Sequence, residues 1–212
     1  MPRPSHEGKV TMADFDPTRS ALLIMDFQNY GLDPKGYWPQ RMPEISGRFT
    51  RAVANTARAL AAARRKGVTV VFVGQAWREE HPDAAVDSPW EAEAKAAGRT
   101  VQGTWDVEFF PPLVPAAGEL VVYKKTISAF TGTDLDRFLT IHAIHTLVLS
   151  GLATNGVVEG TAREASDRGY QVIVLKDCCA AMTDEEHEFP FRTIFQWIST
   201  ISSSDEFIQS LG

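Results

Sequence analysis

Three polar side chains of different chemistry stand where apolar runs end: Asp26, Gln75 and Lys124. Asp26 closes the run Ala21-Leu22-Leu23-Ile24-Met25. A carboxyl at the end of such a run is partly desolvated, which raises its pKa and lets it hold a proton to donate. Lys124 ends a second run, so its ammonium can point into the same crevice. Gln75 ends a third, where its amide can hydrogen-bond a substrate oxygen. The stretch 149–163 reads as a strand end, a small-residue elbow and then a helix. In open α/β sheets, reactive groups collect at the carboxyl ends of strands, often at a helix N-terminus. Plainer roles are open to each of these groups: a cap or half of an ion pair for Asp26, a solvated strand end for Lys124, an ordinary loop polar group for Gln75, and a simple strand-to-helix turn for the elbow.

The elements that must position these groups follow from the apolar pattern. Continuous apolar runs predict parallel strands at residues 21–25, 68–73, 119–124, 146–150 and 171–176, with a short sixth at 200–203. Between them, Phe49, Val53, Ala57, Leu60 and Ala61 recur at helical spacing within 45–66, and Gly67 stops that helix. Further helices are predicted at 134–142 after a cap at Thr133, from a Thr154 or Asn155 cap to about Arg168, at 184–198, and at 205–211. Pro190 should limit or kink the first turns of the 184–198 helix. Residues 27–42 read as a loop over the site. Residues 76–112 read as a long, partly irregular wall with a helical patch at 91–97. Strands alternating with helices predict an α/β fold: one domain over 20–212 after an arm at 1–19, a doubly wound parallel sheet of about six strands with helices on both faces.

Composition excludes several classes of function. A formal charge of −6 over 212 residues argues against nucleic acid or an anionic membrane as partner. No apolar run approaches the ~18 residues of a membrane span. The N-terminus has no apolar core of the kind a signal peptide carries. The two cysteines, Cys178 and Cys179, are adjacent and have no distant partner, which points to reduced thiols and a cytoplasmic chain. They follow a strand end, yet buried small apolar filler is the commoner role for such residues. The five histidines show no metal-ligand spacing, and no phosphate-binding glycine pattern is present, so neither a metal nor another cofactor is expected. Trp38, Trp77, Trp90 and Trp105 fall in the irregular segments, where they can line a pocket for a cyclic substrate or pack under loops. The apolar stretch 189–197 can dock a second subunit, giving a homodimer or homotetramer, or pack into the core.

The elbow, Gly151-Leu-Ala-Thr-Asn155-Gly-Val157-Val-Glu159, resembles the nucleophile elbow of the isochorismatase-like hydrolases, with Val157 where the common amidase branch carries its Cys. The run ending Asp26-Phe27-Gln28 is similar to the first motif of that family. Lys124 lies four residues before Ser128-Ala129-Phe130, as in the second motif, which selects it over Lys125. Phe72-Val73-Gly74-Gln75 is similar to the corresponding strand end of the isochorismate-cleaving members. The metal-binding Asp-x-His set of some nicotinamidases has no counterpart. The resemblance runs from about Ser20 to Phe207. It implies Asp26 as catalytic general acid, Lys124 as the catalytic residue that binds and stabilises the substrate carboxylate, and a non-proline cis peptide at Leu152-Ala153. The amides of Gly156 and Val157 would face an oxyanion or carboxylate, and Gln75, Ala153, Phe27 and Trp90 would lie against substrate. With Val157 replacing the thiol, it implies cysteine-independent hydrolysis of a small carboxylate or enol ether resembling isochorismate. The alternatives are an amidase of the nicotinamidase or carbamoyl-hydrolase type, and a binding homologue without catalysis.

Overall fold

The apolar runs form one parallel sheet of six strands: β1 (Ser20–Met25), β2 (Thr69–Gln75), β3 (Leu120–Lys124), β4 (Thr146–Leu152), β5 (Gln171–Ala180) and β6 (Thr200–Ser202). Their order in space is β3-β2-β1-β4-β5-β6, and every pairing is parallel. The computed structural model describes residue 12 and residues 15–85 and 88–212. Most of the expected N-terminal arm lies outside these residues. Phe15, at its inner end, is buried edge-on against Phe207 at 5.5 Å between ring centres.

β1 and β4 are buried along their whole length because both faces of the sheet are covered. Side chains alternate across each strand, so two cores form. Leu22 and Ile24 pack with Phe49, Val53 and Leu60 of α3 (Ser46–Arg65). Ala21, Leu23 and Met25 pack with Leu135 and Leu139 of α5 (Leu135–Ile141), Ala162 and Ala165 of α6 (Glu159–Asp167), and Phe191 and Phe195 beyond β5. A fully buried Leu or Ile contributes about 1.5–3 kcal/mol, so either face alone outweighs any single surface ion pair. The helix with the clearest apolar spacing, α3, ends at Arg65, and Gly67 adopts the left-handed backbone (φ 71°) that a Cβ disfavours.

The sequence expectation fails in three places. Residues 27–42 are not a plain loop. They hold two short helices, α1 (Asn29–Leu32) and α2 (Tyr37–Arg41), tied to the 76–112 wall by Asn29 N–H donating to the Glu108 carbonyl at 2.9 Å. β5 runs to Ala180 because a register shift between Leu149 and Gly151 lets Cys179 and Ala180 pair with Gly151 and Leu152. The 184–198 helix divides into α7 (Asp184–Arg192) and α8 (Phe195–Ile198), with the break at Thr193, past Pro190 rather than in the first turns. A reciprocal Thr183–Glu186 capping box holds the start of α7. Within 189–197, Phe191 and Phe195 are buried, whereas Phe189 and Trp197 face outward. In the 76–112 wall, the helical patch is α4 (Pro89–Ala96). No helix among the described residues is long and apolar enough to cross a membrane.

Candidate active site at the carboxyl strand ends

The three polar side chains meet. Gln75 and Lys124 are register partners at the ends of β2 and β3, so both project to the same side of the sheet. Asp26 follows the last residue of β1, and its N–H donates to the Val73 carbonyl at 2.8 Å. Its backbone is left-handed (φ 59°), a conformation that Asp tolerates better than most residues. Lys124 Nζ lies 2.9 Å from Asp26 Oδ2 and donates to Gln75 Oε1 at 2.8 Å. The Lys side chain is 4% exposed and the Asp 7%. Since an ammonium only donates, this contact fixes which end of the Gln75 amide faces inward and turns Nε2 away. Among the described residues, Asp26 Oδ1 and Gln75 Nε2 are buried and have no hydrogen-bond partner.

Burial pushes the Asp26 carboxyl above its ordinary 3.8, and the charge and hydrogen bond of Lys124 pull it only part of the way back. With Oδ2 accepting from Lys124, a proton held by this carboxyl belongs on Oδ1, which is buried and has no partner among the described residues.

Asp26 lines a cleft of about 290 Å³. Asp26, Gln75, Lys124, Ala153, Gly156, Val157 and Trp90 line it, together with Trp38. Phe27 does not. It is fully buried in the core with α3, because the turn at Asp26 sends the carboxyl into the cleft and the next side chain under the sheet edge. Trp77 is buried and packs against Trp90 at 5.1 Å, and Trp105 is 44% exposed. Cleft residues without an advance signal are Tyr30, Gly31, Phe49, Ile127 and Met182, and Leu152 of the elbow lines it too.

The elbow contains the cis peptide Leu152-Ala153. It continues into a wide turn, Thr154–Val158, before α6. The expected caps are otherwise engaged: no side chain caps this helix start, and the Thr154 hydroxyl instead pairs with His187 Nδ1 at 2.8 Å. The Gly156 N–H donates to the Ala153 carbonyl at 3.1 Å, which corrects the expectation that it faces an oxyanion. Both cysteines of the chain lie in β5, Cys178 in one core and Cys179 in the other, and neither lines this cleft. Burial raises both thiols, Cys179 to about 12, which leaves them protonated and unreactive. No group of His, Cys, Asp and Glu among the described residues is arranged to hold a metal ion.

Gln28 is the hidden support of the site. Its side chain accepts from Gln75 N–H at 2.7 Å and donates to the Gln75 and Val107 carbonyls at 3.1 and 2.7 Å. A Cβ at Gly74 would lie 2.8 Å from Gln28 Nε2 and 3.1 Å from Tyr123 Cε1. Gly74→Ala is therefore expected to lower stability by about 1–3 kcal/mol, the usual range for overpacking. It should also raise KM, because Gln75 loses its backbone clamp. Denaturant titration and steady-state kinetics check this, and an unchanged midpoint would show that Gln28 yields freely.

A cleft at the carboxyl ends of central parallel strands, floored by an acid, an ammonium and an amide, is the layout of α/β proteins that act on small molecules. The family model described as "Isochorismatase domain" matches residues 20–206. The chain is 33% identical over 209 residues to a ureidoacrylate amidohydrolase, RutB, of Variovorax paradoxus (strain S110), covering 91% of this chain and 81% of that one. An N-carbamoylsarcosine amidase from Thermoplasma acidophilum superposes with a TM-score of 0.70 at 28% identity, covering 88% of this chain and 97% of the other. A cysteine hydrolase from Pseudomonas syringae pv. phaseolicola 1448A shares the fold with a TM-score of 0.82 at 24% identity, over 93% and 94% of the two chains. The chain thus belongs to the isochorismatase-like hydrolase family.

Proposed function

We propose that the protein is a thiol-independent hydrolase of a small enol-ether or cyclic carboxylate resembling isochorismate, with Asp26 as the general acid. The observation that carries this reading is the unpartnered Oδ1 of a buried, pKa-raised carboxyl at the floor of a cleft that no cysteine lines. Neutral Asp26 donates its proton to the terminal vinyl carbon, converting CH₂ to CH₃ and leaving an oxocarbenium ion. Water adds to the cationic carbon, and loss of a proton gives a hemiketal. The hemiketal expels the ring alcohol to yield a 2-keto acid and a free hydroxyl. Lys124 stabilises the Asp26 carboxylate formed in the first step, and Gln75 orients the substrate through Nε2. One general acid contributes about 10²–10⁴-fold, so positioning within the cleft supplies the remainder.

A second reading, hydrolysis of a C–N bond, is favoured by the identity to the ureidoacrylate amidohydrolase. The covalent form of that chemistry needs an activated thiolate, and Val157 occupies the position to which the family resemblance assigns it. A turnover screen of isochorismate, nicotinamide and ureido or carbamoyl acids separates the readings. Turnover of isochorismate supports the first. Turnover confined to amides, or loss of activity on thiol alkylation, contradicts it.

A further inference from the structure

Tyr30 stands in the cleft beside Asp26 and has no role in the steps above. It lies on α1, which the Asn29 side chain fixes to the wall by donating to the Trp105 carbonyl at 2.9 Å. Its ring lines the cleft with Trp38, Phe49 and Trp90. No hydrogen bond within the described residues holds its hydroxyl. The charges that reach it are Asp26, Arg99 and Asp106. Burial, then the Asp26 charge, pushes this phenol far above the usual tyrosine range, so it is a neutral O–H donor at every working pH.

Tyr30 and Gln75 line this cleft with Asp26, and Gln75 Nε2 and Asp26 Oδ1 are buried without partners among the described residues. A buried donor left unmade is costly, so Gln75 Nε2 favours a ligand group with acceptor lone pairs, which the half-buried Tyr30 hydroxyl on the cleft wall can also engage. Arg99 is the nearest cation outside the floor. Its guanidinium pairs with Glu93 at 3.5 Å and lies 3.9 Å from the Tyr37 ring centre, outside the cleft lining, so it reaches the site only as a longer-range charge. Lys124 adds a second positive centre beneath the floor. The remaining wall is aromatic and aliphatic, which suits a planar or cyclic body.

Building on the proposed function, we infer that Tyr30 is a substrate-binding residue whose hydroxyl, with Gln75 Nε2, holds the carboxylate of a cyclic substrate at the entrance to Asp26. Two of the three ammonium donors of Lys124 go to Asp26 and Gln75, so its part in holding the carboxylate is secondary to that of Tyr30 and Gln75. Loss of one hydrogen bond to a charged group weakens binding by about 10–100-fold.

The test is calorimetric titration of benzoate, and of benzyl alcohol as a neutral ring of similar size, into the wild-type protein and Tyr30→Phe. Melting temperatures confirm that both are folded. The expected result is benzoate affinity lowered about 10–100-fold in Tyr30→Phe, with benzyl alcohol bound equally by both. Equal benzoate affinities, a parallel loss for both ligands, or a wild-type protein that does not take up benzoate would each overturn the assignment. Binding is read here without turnover. Retained activity in an Asp26 variant would therefore remove the proposed acid and leave the Tyr30 result standing.

Discussion

Asp26→Asn is expected to lower turnover by at least about 10²–10⁴-fold, the contribution of one general acid, while the protein keeps its fold. The Asn side chain retains an oxygen that accepts from Lys124 as Asp26 Oδ2 does at 2.9 Å, so the ammonium is not orphaned. What disappears is the proton on the second atom of the group. Rates measured beside melting curves distinguish the two effects. A folded Asp26→Asn protein with wild-type turnover would remove Asp26 from the chemistry. The wild-type pH profile follows from the same carboxyl. Its pKa is raised above 3.8 by burial, and the protonated form is the active one, so kcat/KM should be highest on the acid side and fall as pH rises through the raised value.

Lys124→Met should act on stability and on the pH profile together. It leaves Asp26 and Gln75 Oε1 facing an apolar side chain. Breaking a buried ion pair costs about 3–5 kcal/mol when the remaining charge has no partner. Asp26 avoids part of that cost by keeping its proton. Lys124 lowers the Asp26 pKa, so its removal raises it further. A carboxyl whose folded pKa lies above its unfolded value gives stability that is fully present below the unfolded value and is lost as pH rises through the folded one. The deficit against the wild-type protein should therefore be small in acid and grow toward neutral pH. The alkaline limb of kcat/KM should move to higher pH. Denaturant midpoints across a pH series check the first effect, and a deficit independent of pH would contradict it.

Much of this site is legible in the sequence because central parallel strands are apolar on both faces. Their polar terminal residues, Asp26, Gln75 and Lys124, stand out against those runs, and parallel pairing brings them to one edge. The rest depends on contacts with no period. The inward turn of Phe27 comes from one left-handed residue, Asp26. Gln28 acts through three backbone partners in segments far along the chain. Tyr30 is placed by a short helix that the 76–112 wall holds from outside. The Gly156 amide and the Thr154 hydroxyl were expected to be free for a ligand or a cap, but a carbonyl within the elbow and a histidine on α7 take them. Strand β5 outlasts its apolar run because a register shift on β4, invisible to composition, restores the pairing.

The central claim is that hydrolysis at this cleft proceeds without sulfur. Its most direct measurement is the turnover of a cysteine-free chain, Cys178→Ala with Cys179→Ala, on the substrate the wild-type protein converts best. Kinetics equal to wild type, in a protein with an unchanged far-ultraviolet spectrum and cooperative melting, are the expected result. A folded cysteine-free chain that has lost its activity would contradict the account.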